Sequence, residues 1–322
     1  MTSTTYSDAV GGALERLRGV GYEWGPSFAN HAPMAAEALA RLGYADEVPG
    51  WVERNLSKRR YYDAPEPRWA LTTGPDGDWE SALGDFGRVG DWAALFEREL
   101  AAEPWRGVLA RWWPRLLPGM SGALTHGVIR TAHAVRALAM STGDDVLQRG
   151  ELAQGLGYWA ARYSGSARPT PPDTHRDEPG LDENARVLAA FDAVIADASA
   201  GYVDTRQSFP VPLIHSITAP AAVRLVCEHL PEEQRQPSYE TALRVSEWIR
   251  SRFAAPRRPA PSPAEPAEPP SADQLVATAV EIGDEHAIKL AEVAVRQNAL
   301  SPDNRYLVAS QTANTLISRF PV

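Results

Sequence analysis

Histidine is the residue type here with the most chemistry to offer, and its placement along the chain is uneven. Seven histidines are present. His286 falls on a stripe of Leu275, Ala279, Ile282, His286, Leu290 and Val293, whose steps of three and four predict the inward face of a helix. Lys289 follows it on the same helix, about 60° around the axis, so both polar heads can meet one buried point. His126 and His133 are seven apart, nearly eclipsed on a face shared with Ile129, Ala137 and Met140. His215 sits in Phe209-Pro210-Val211-Pro212-Leu213-Ile214-His215, where two prolines predict an extended approach to a helix beginning around Pro220. His31, in Phe28-Ala29-Asn30-His31-Ala32-Pro33-Met34, likewise stands just ahead of a helix start. His175 in a Pro-rich stretch and His229 at a helix end read as ordinary surface and capping residues. A single buried histidine is most simply a hydrogen-bonded core residue. Several of them in apolar contexts point instead to one shared site, because isolated buried imidazoles are costly. Imidazole-rich sites suit iron, zinc, copper or nickel.

Other chemistries lack their motifs. There is no His-Glu-x-x-His for a zincin and no Glu-x-x-His for a carboxylate-bridged di-iron bundle. Gly-x-Gly-x-x-Gly and the Walker loop are missing, so no flavin, nicotinamide or nucleotide cradle is expected. Gly-x-Ser-x-Gly is absent, and Cys227, the single cysteine, reads as packing within an apolar helix.

The elements that must position these histidines are helical. Periodicity predicts helices over Met34–Leu42, Trp92–Leu100, Val108–Leu116, Leu124–Met140, Leu152–Tyr163, Asn184–Ala198, Ala221–Leu230, Tyr239–Phe253 and Ala272–Ala299. Alternating strand patterns are nearly absent, so the expected fold is all-α: one multi-helix domain over residues 1–322 around a central buried metal site. Residues 254–271, with seven prolines, are expected to form an exposed loop of that domain. Seven of the ten tryptophans lie between Trp51 and Trp113 and read mostly as core, with some available to stack on a flat ring.

A net charge of −9, with no basic run longer than Lys58-Arg59-Arg60, argues against nucleic acid or a membrane surface as partner. The basic residues are 30 Arg and only two Lys, Lys58 and Lys289. No apolar run approaches a membrane span, no signal-peptide pattern opens the sequence, and one cysteine fits a reducing compartment. The expected location is the cytoplasm, and oligomeric state is left open.

Four motifs in this order, Asn30-His31-Ala32-Pro33-Met34, Leu124-Thr125-His126-Gly127-Val128-Ile129-Arg130, His215-Ser216-Ile217-Thr218-Ala219-Pro220 and Asp284-Glu285-His286-Ala287-Ile288-Lys289, run across nearly the whole chain and resemble the questin oxidase-like family. The resemblance implies an oxygenase that uses dioxygen on an aromatic polyketide such as an anthraquinone, with ring opening of Baeyer–Villiger type. His31, His126, His215 and His286 match the family's recurring histidines. His133, where other members are expected to carry a residue such as Tyr, is placed beside the ligands. The chain is shorter than the fungal members, which bears on the substrate more than on the site.

Four neutral imidazoles leave a divalent ion such as non-haem Fe(2+) without an anionic ligand. A buried Lys289, pushed towards its neutral amine, could add carbon dioxide and supply a carbamate oxygen. The competing expectation is a lysine that snorkels to water or pairs with Asp284 or Glu285. Arg130, one turn from His126, is a candidate to hold a substrate oxygen, or else forms a structural salt bridge. Tyr61, Tyr62 and nearby tryptophans are candidates for stacking on the substrate. A zinc-dependent hydrolase or lyase of polyketides and a non-catalytic all-α binding protein remain the other classes.

Overall fold

The apolar stripes do fold into helices. The computed structural model describes residues 4–74, 76–141, 145–165, 182–205, 209–254 and 270–319. Thirteen α-helices make up most of it, in the order α1 (Tyr6–Arg16), α2 (Ala32–Arg41), α3 (Val48–Lys58), α4 (Val89–Ala102), α5 (Trp105–Leu116), α6 (His126–Met140), α7 (Val146–Ala161), α8 (Glu183–Asp204), α9 (Val211–Cys227), α10 (Arg235–Phe253), α11 (Ala272–Ile282), α12 (Glu285–Leu300) and α13 (Asn304–Ile317). A three-stranded antiparallel sheet of β1 (Val20–Trp24), β2 (Phe28–Ala29) and β3 (Tyr61–Asp63), in the order β2-β1-β3, is the exception to the all-α expectation. Its strands are too short to show alternation. The 254–271 loop lies mostly outside the described residues, as does His175. No helix among the described residues is long and apolar enough to cross a membrane.

The main core packs α4 to α10 around indoles: Trp92, Trp112, Trp113 and Trp159 are fully buried, and Trp92 and Phe96 both meet Trp112 edge-on. Each buried indole N–H of Trp92 and Trp113 reaches an acceptor, the Ala82 carbonyl and the Ser238 hydroxyl. A smaller core joins α1, α2 and α3. Trp69 is exposed beneath the Arg88 guanidinium, so it is not part of either.

Among the expected boundaries that move, three do so for a physical reason visible in the structure. His215 is not in an extended lead-in: α9 begins at Val211 with Pro212 in its first turn, and Pro220 lies inside it. Proline at 220 removes the N–H that would bond the Ser216 carbonyl. Ser246 of α10 donates its hydroxyl to that carbonyl at 2.7 Å. The same device operates in α5, where Pro114 frees the Ala110 carbonyl and the Gln234 amide occupies it at 2.8 Å. Residues 272–299 form two helices, because Gly283 takes a left-handed φ of 69° and stops α11. Trp51 grips this joint through its indole N–H on the Gly283 carbonyl, 2.8 Å. Finally, α6 begins at His126 after Ala123, Leu124 and Thr125 turn left-handed (φ 45°, 50° and 69°). Gly122 just before them lies so close to the end of α7 that a Cβ there would meet the Arg162 carbonyl oxygen at 1.6 Å. Met140, expected inward, is exposed at the far end of α6.

Candidate metal centre

Four helices bring the histidines together. His31 caps the start of α2, His126 opens α6, His215 sits in the second turn of α9 and His286 in the first turn of α12. All are buried, at 6%, 8%, 1% and 8% exposure, and Lys289, one turn beyond His286, is at 3%. Nitrogens of His31, His126 and His286 lie within 4.8 Å of one another. His215 joins through its Nε2, 3.1 Å from Nε2 of His126. Lys289 Nζ is 3.5 Å from His31 Nδ1.

The other ring nitrogens fix which atoms face inward. His126 Nδ1 meets the Ala123 carbonyl and His215 Nδ1 the Val211 carbonyl, 3.2 Å away. A carbonyl only accepts, so both Nδ1 atoms carry the proton and both Nε2 atoms present lone pairs. His286 Nδ1 likewise faces Asp284 Oδ1 at 3.2 Å, leaving its Nε2 buried without a partner. Asp284 is held in turn as the cap of α12 by the backbone N–H groups of His286 and Ala287. Burial alone would raise the Asp284 carboxyl, but its interactions with the His286 ring and the backbone N–H groups of His286 and Ala287 together hold it at about 2.

Two acceptor lone pairs facing each other at 3.1 Å need a cation between them. A proton is a poor choice: burial, reinforced by Lys289, pushes His126 down to about 3, and burial drives His31 and His215 well below the usual imidazole range. A metal ion fits the donors better. Two nitrogens each about 2.1 Å from one ion and at right angles to it are about 3 Å apart. Backbone carbonyls and a carboxylate on the outer nitrogens are the usual way such ligands are oriented. The donor set, with an orphaned Nε2 on His286, therefore suits a borderline divalent metal.

Lys289 neither snorkels to water nor pairs directly with an acid. Burial lowers its ammonium to about 8, with Glu285 and Asp284 acting in the opposite direction. Glu285, 3.6 Å from His31 Nδ1, is committed to Arg59, whose Nη2 donates to both carboxylate oxygens at 2.8 Å.

Two expected neighbours are engaged elsewhere. Arg130 makes a bidentate pair with Glu151 (2.6 and 2.8 Å), bonds Gln154 and lies over the Tyr22 ring, so the salt-bridge alternative is the one seen. His133 places Nδ1 2.6 Å from Glu37 Oε2. Glu37 is also held by Arg136, which bridges to Glu292, forming a buried ion network between α2, α6 and α12. His133 still borders the cluster, since it shares with Lys289 and Glu292 the wall of a cavity of about 10 Å³, room for one water. Tyr61 donates to Asn55 and Tyr62 to the Gly25 carbonyl at the surface, so neither stands over the histidines. His229 follows the last turn of α9 and packs edge-on against Trp105.

Sequence reasoning missed the orienting partners. Asp284, two residues before His286 at a helix start, carries a capping signal that could have placed it. The Ala123 and Val211 carbonyls carry none. The site is thus a buried four-imidazole cluster with an adjacent lysine, built on an all-α frame. Compared with known proteins, the chain matches no family model and no curated protein.

Proposed function

We propose that the chain is a non-haem iron-dependent oxygenase acting on an aromatic, anthraquinone-like polyketide by oxidative ring or C–C bond cleavage. The observation that carries the metal half is the pair of Nε2 lone pairs of His126 and His215 facing each other beside the unpartnered Nε2 of His286. The reaction half rests on the likeness of the four histidine motifs to the questin oxidase-like family. Bound iron(II) would supply dioxygen chemistry, and the protein supplies binding, orientation and exclusion of water.

The residues divide that work. His31, His126, His215 and His286 hold the ion as neutral donors, and the carbonyls of Ala123 and Val211 and the carboxylate of Asp284 keep their lone pairs aimed inward. Lys289 is the proposed source of anionic charge. Its neutral amine attacks carbon dioxide, forming an N–C bond and releasing one proton, and the resulting carbamate offers an oxygen to the ion. Arg130 and His133 act here through position, tying α6 to α7 and to α2.

Elemental analysis of protein purified without chelators tests the reading. Iron at one per chain supports the oxygenase, zinc at that level supports a hydrolase or lyase instead, and neither metal leaves a binding protein. Electron density extending past Lys289 Nζ in a crystal supports the carbamate, and a plain ammonium there refutes it.

A further inference from the structure

The longest basic run of this acidic sequence, Lys58-Arg59-Arg60, is followed directly by Tyr61-Tyr62. It begins in the last turn of α3, where cations complement the helix dipole, and leads straight into β3. Together with Arg18, these residues line a solvent-open groove of about 590 Å³. Asp63 is the only carboxylate on that lining. Arg18 is tied to Glu15 at 2.6 Å, but no ion pair or hydrogen bond of the described residues engages the side chains of Lys58 or Arg60.

Two buried donors, one on a lining residue and one on a residue bonded to the lining, have no partner. Arg59 is nearly buried, its side chain 8% exposed; its Nη2 serves Glu285, and its Nε–H has no partner. One turn earlier, Asn55, 4% exposed, gives its Oδ1 to the Tyr61 hydroxyl at 2.7 Å and has an unpartnered Nδ2. A buried donor without an acceptor is unfavourable, and both border the same cationic groove, Arg59 in its lining and Asn55 through its bond to Tyr61. An anionic oxygen answers both. Flat apolar surface stands next to it: Arg59 lies over Trp24, whose ring is 5.1 Å from Phe28, and Tyr62 bonds the turn joining those two residues.

The geometry points to this groove as a binding site for a small aromatic carboxylate, its carboxylate on Arg59 and Asn55 and its ring along Tyr61 and Tyr62, with Lys58 and Arg60 at the rim. The inference rests on the groove and not on the metal reading, although Glu285 places its floor two side chains from His31.

The test is calorimetric titration of the full chain with 2-naphthoate and with its neutral isostere 2-naphthamide. Saturable binding of naphthoate is expected, weaker by about tenfold or more for the amide and for the Lys58→Glu/Arg60→Glu variant, as loss of charge-assisted bonds implies. Both altered side chains are exposed, so the variant keeps the fold, which its circular dichroism verifies. Equal affinity for acid and amide, or unchanged affinity in the variant, overturns the proposal, as does absence of saturable binding up to millimolar naphthoate. Inorganic phosphate binding as tightly as naphthoate overturns the aromatic half. Iron measured in the same samples separates the two readings: a chain that takes iron but no naphthoate refutes only this one.

Discussion

Gly122→Ala should damage the fold and the histidine cluster together, and the structure sets the size of the effect. A Cβ at this position would lie 1.6 Å from the Arg162 carbonyl oxygen and 2.7 Å from its carbon. These are backbone atoms at the end of α7, so no rotamer change relieves the clash. Restoring a contact of about 3 Å requires the two segments to separate by more than 1 Å, and overpacking of this kind typically costs about 1–3 kcal/mol. The upper end is expected here, because the left-handed turn at Ala123, Leu124 and Thr125 follows immediately and leaves little slack before His126. Metal sites require donor distances held within about 0.2 Å, so displacement of His126 on that scale should lower iron affinity by at least tenfold. Gly150→Ala in α7, where an added Cβ meets nothing within 4 Å, is the control and should gain up to about 1 kcal/mol. Urea denaturation of the metal-free protein gives the stability term, and titration with iron(II) under anaerobic conditions gives the affinity. A Gly122→Ala protein within 0.5 kcal/mol of wild type, binding iron as tightly, would refute the reasoning about how α6 enters the site.

Four further outcomes are expected. Ser246→Ala strands the Ser216 carbonyl and should cost about 1–3 kcal/mol, while Pro220→Ala in the same chain restores an N–H to that carbonyl and should recover part of it, read as a coupling energy in urea melts. Arg136→Met leaves Glu37 and Glu292 as buried carboxylates and should destabilise by about 3–5 kcal/mol at pH 7. Burial raises Glu292, but Arg136 and Arg296 together more than offset this and hold it at about 2. A carboxylate depressed on folding contributes its stability in full above about pH 4.5 and loses it as the pH falls towards 2, so the gap between wild type and Arg136→Met should narrow over that window in melts at graded pH. His133→Phe should keep its metal and lose stability, whereas His126→Ala, His215→Ala and His286→Ala should each lose metal, so elemental analysis of the four separates ligands from the neighbouring ion network.

How much of this was legible in the sequence depends on the range of the interaction. His286 and Lys289 were legible because their spacing on one helix is local, and so was the inward face of α6 that carries His126. The convergence of His31 and His215 on them rested on the cost of isolated buried imidazoles and on the resemblance of the four motifs to a known family. The register of α9 was not legible, because Pro220 reads as a helix start unless Ser246, thirty residues on, is known to satisfy the carbonyl it frees. The partner of His133 was not legible either, because nothing local announces Glu37, 96 residues away. Arg130 and Glu151 posed the same difficulty across two helices. The sheet escaped because its strands are two to five residues long.

The donors of the cluster span the chain from His31 to Lys289, and the shortest step between histidines on different helices, from His286 back to His215, crosses two complete helices. During synthesis the pocket is therefore complete only at a late stage: α2, α6 and α9 can be folded and waiting, yet His286 arrives only when α12 leaves the ribosome. On the proposed reading, metal capture would be a late event that reports completion of the fold. An ion, once seated, would act as a clasp between the first helices and the last, so chelators should speed global unfolding instead of loosening one loop.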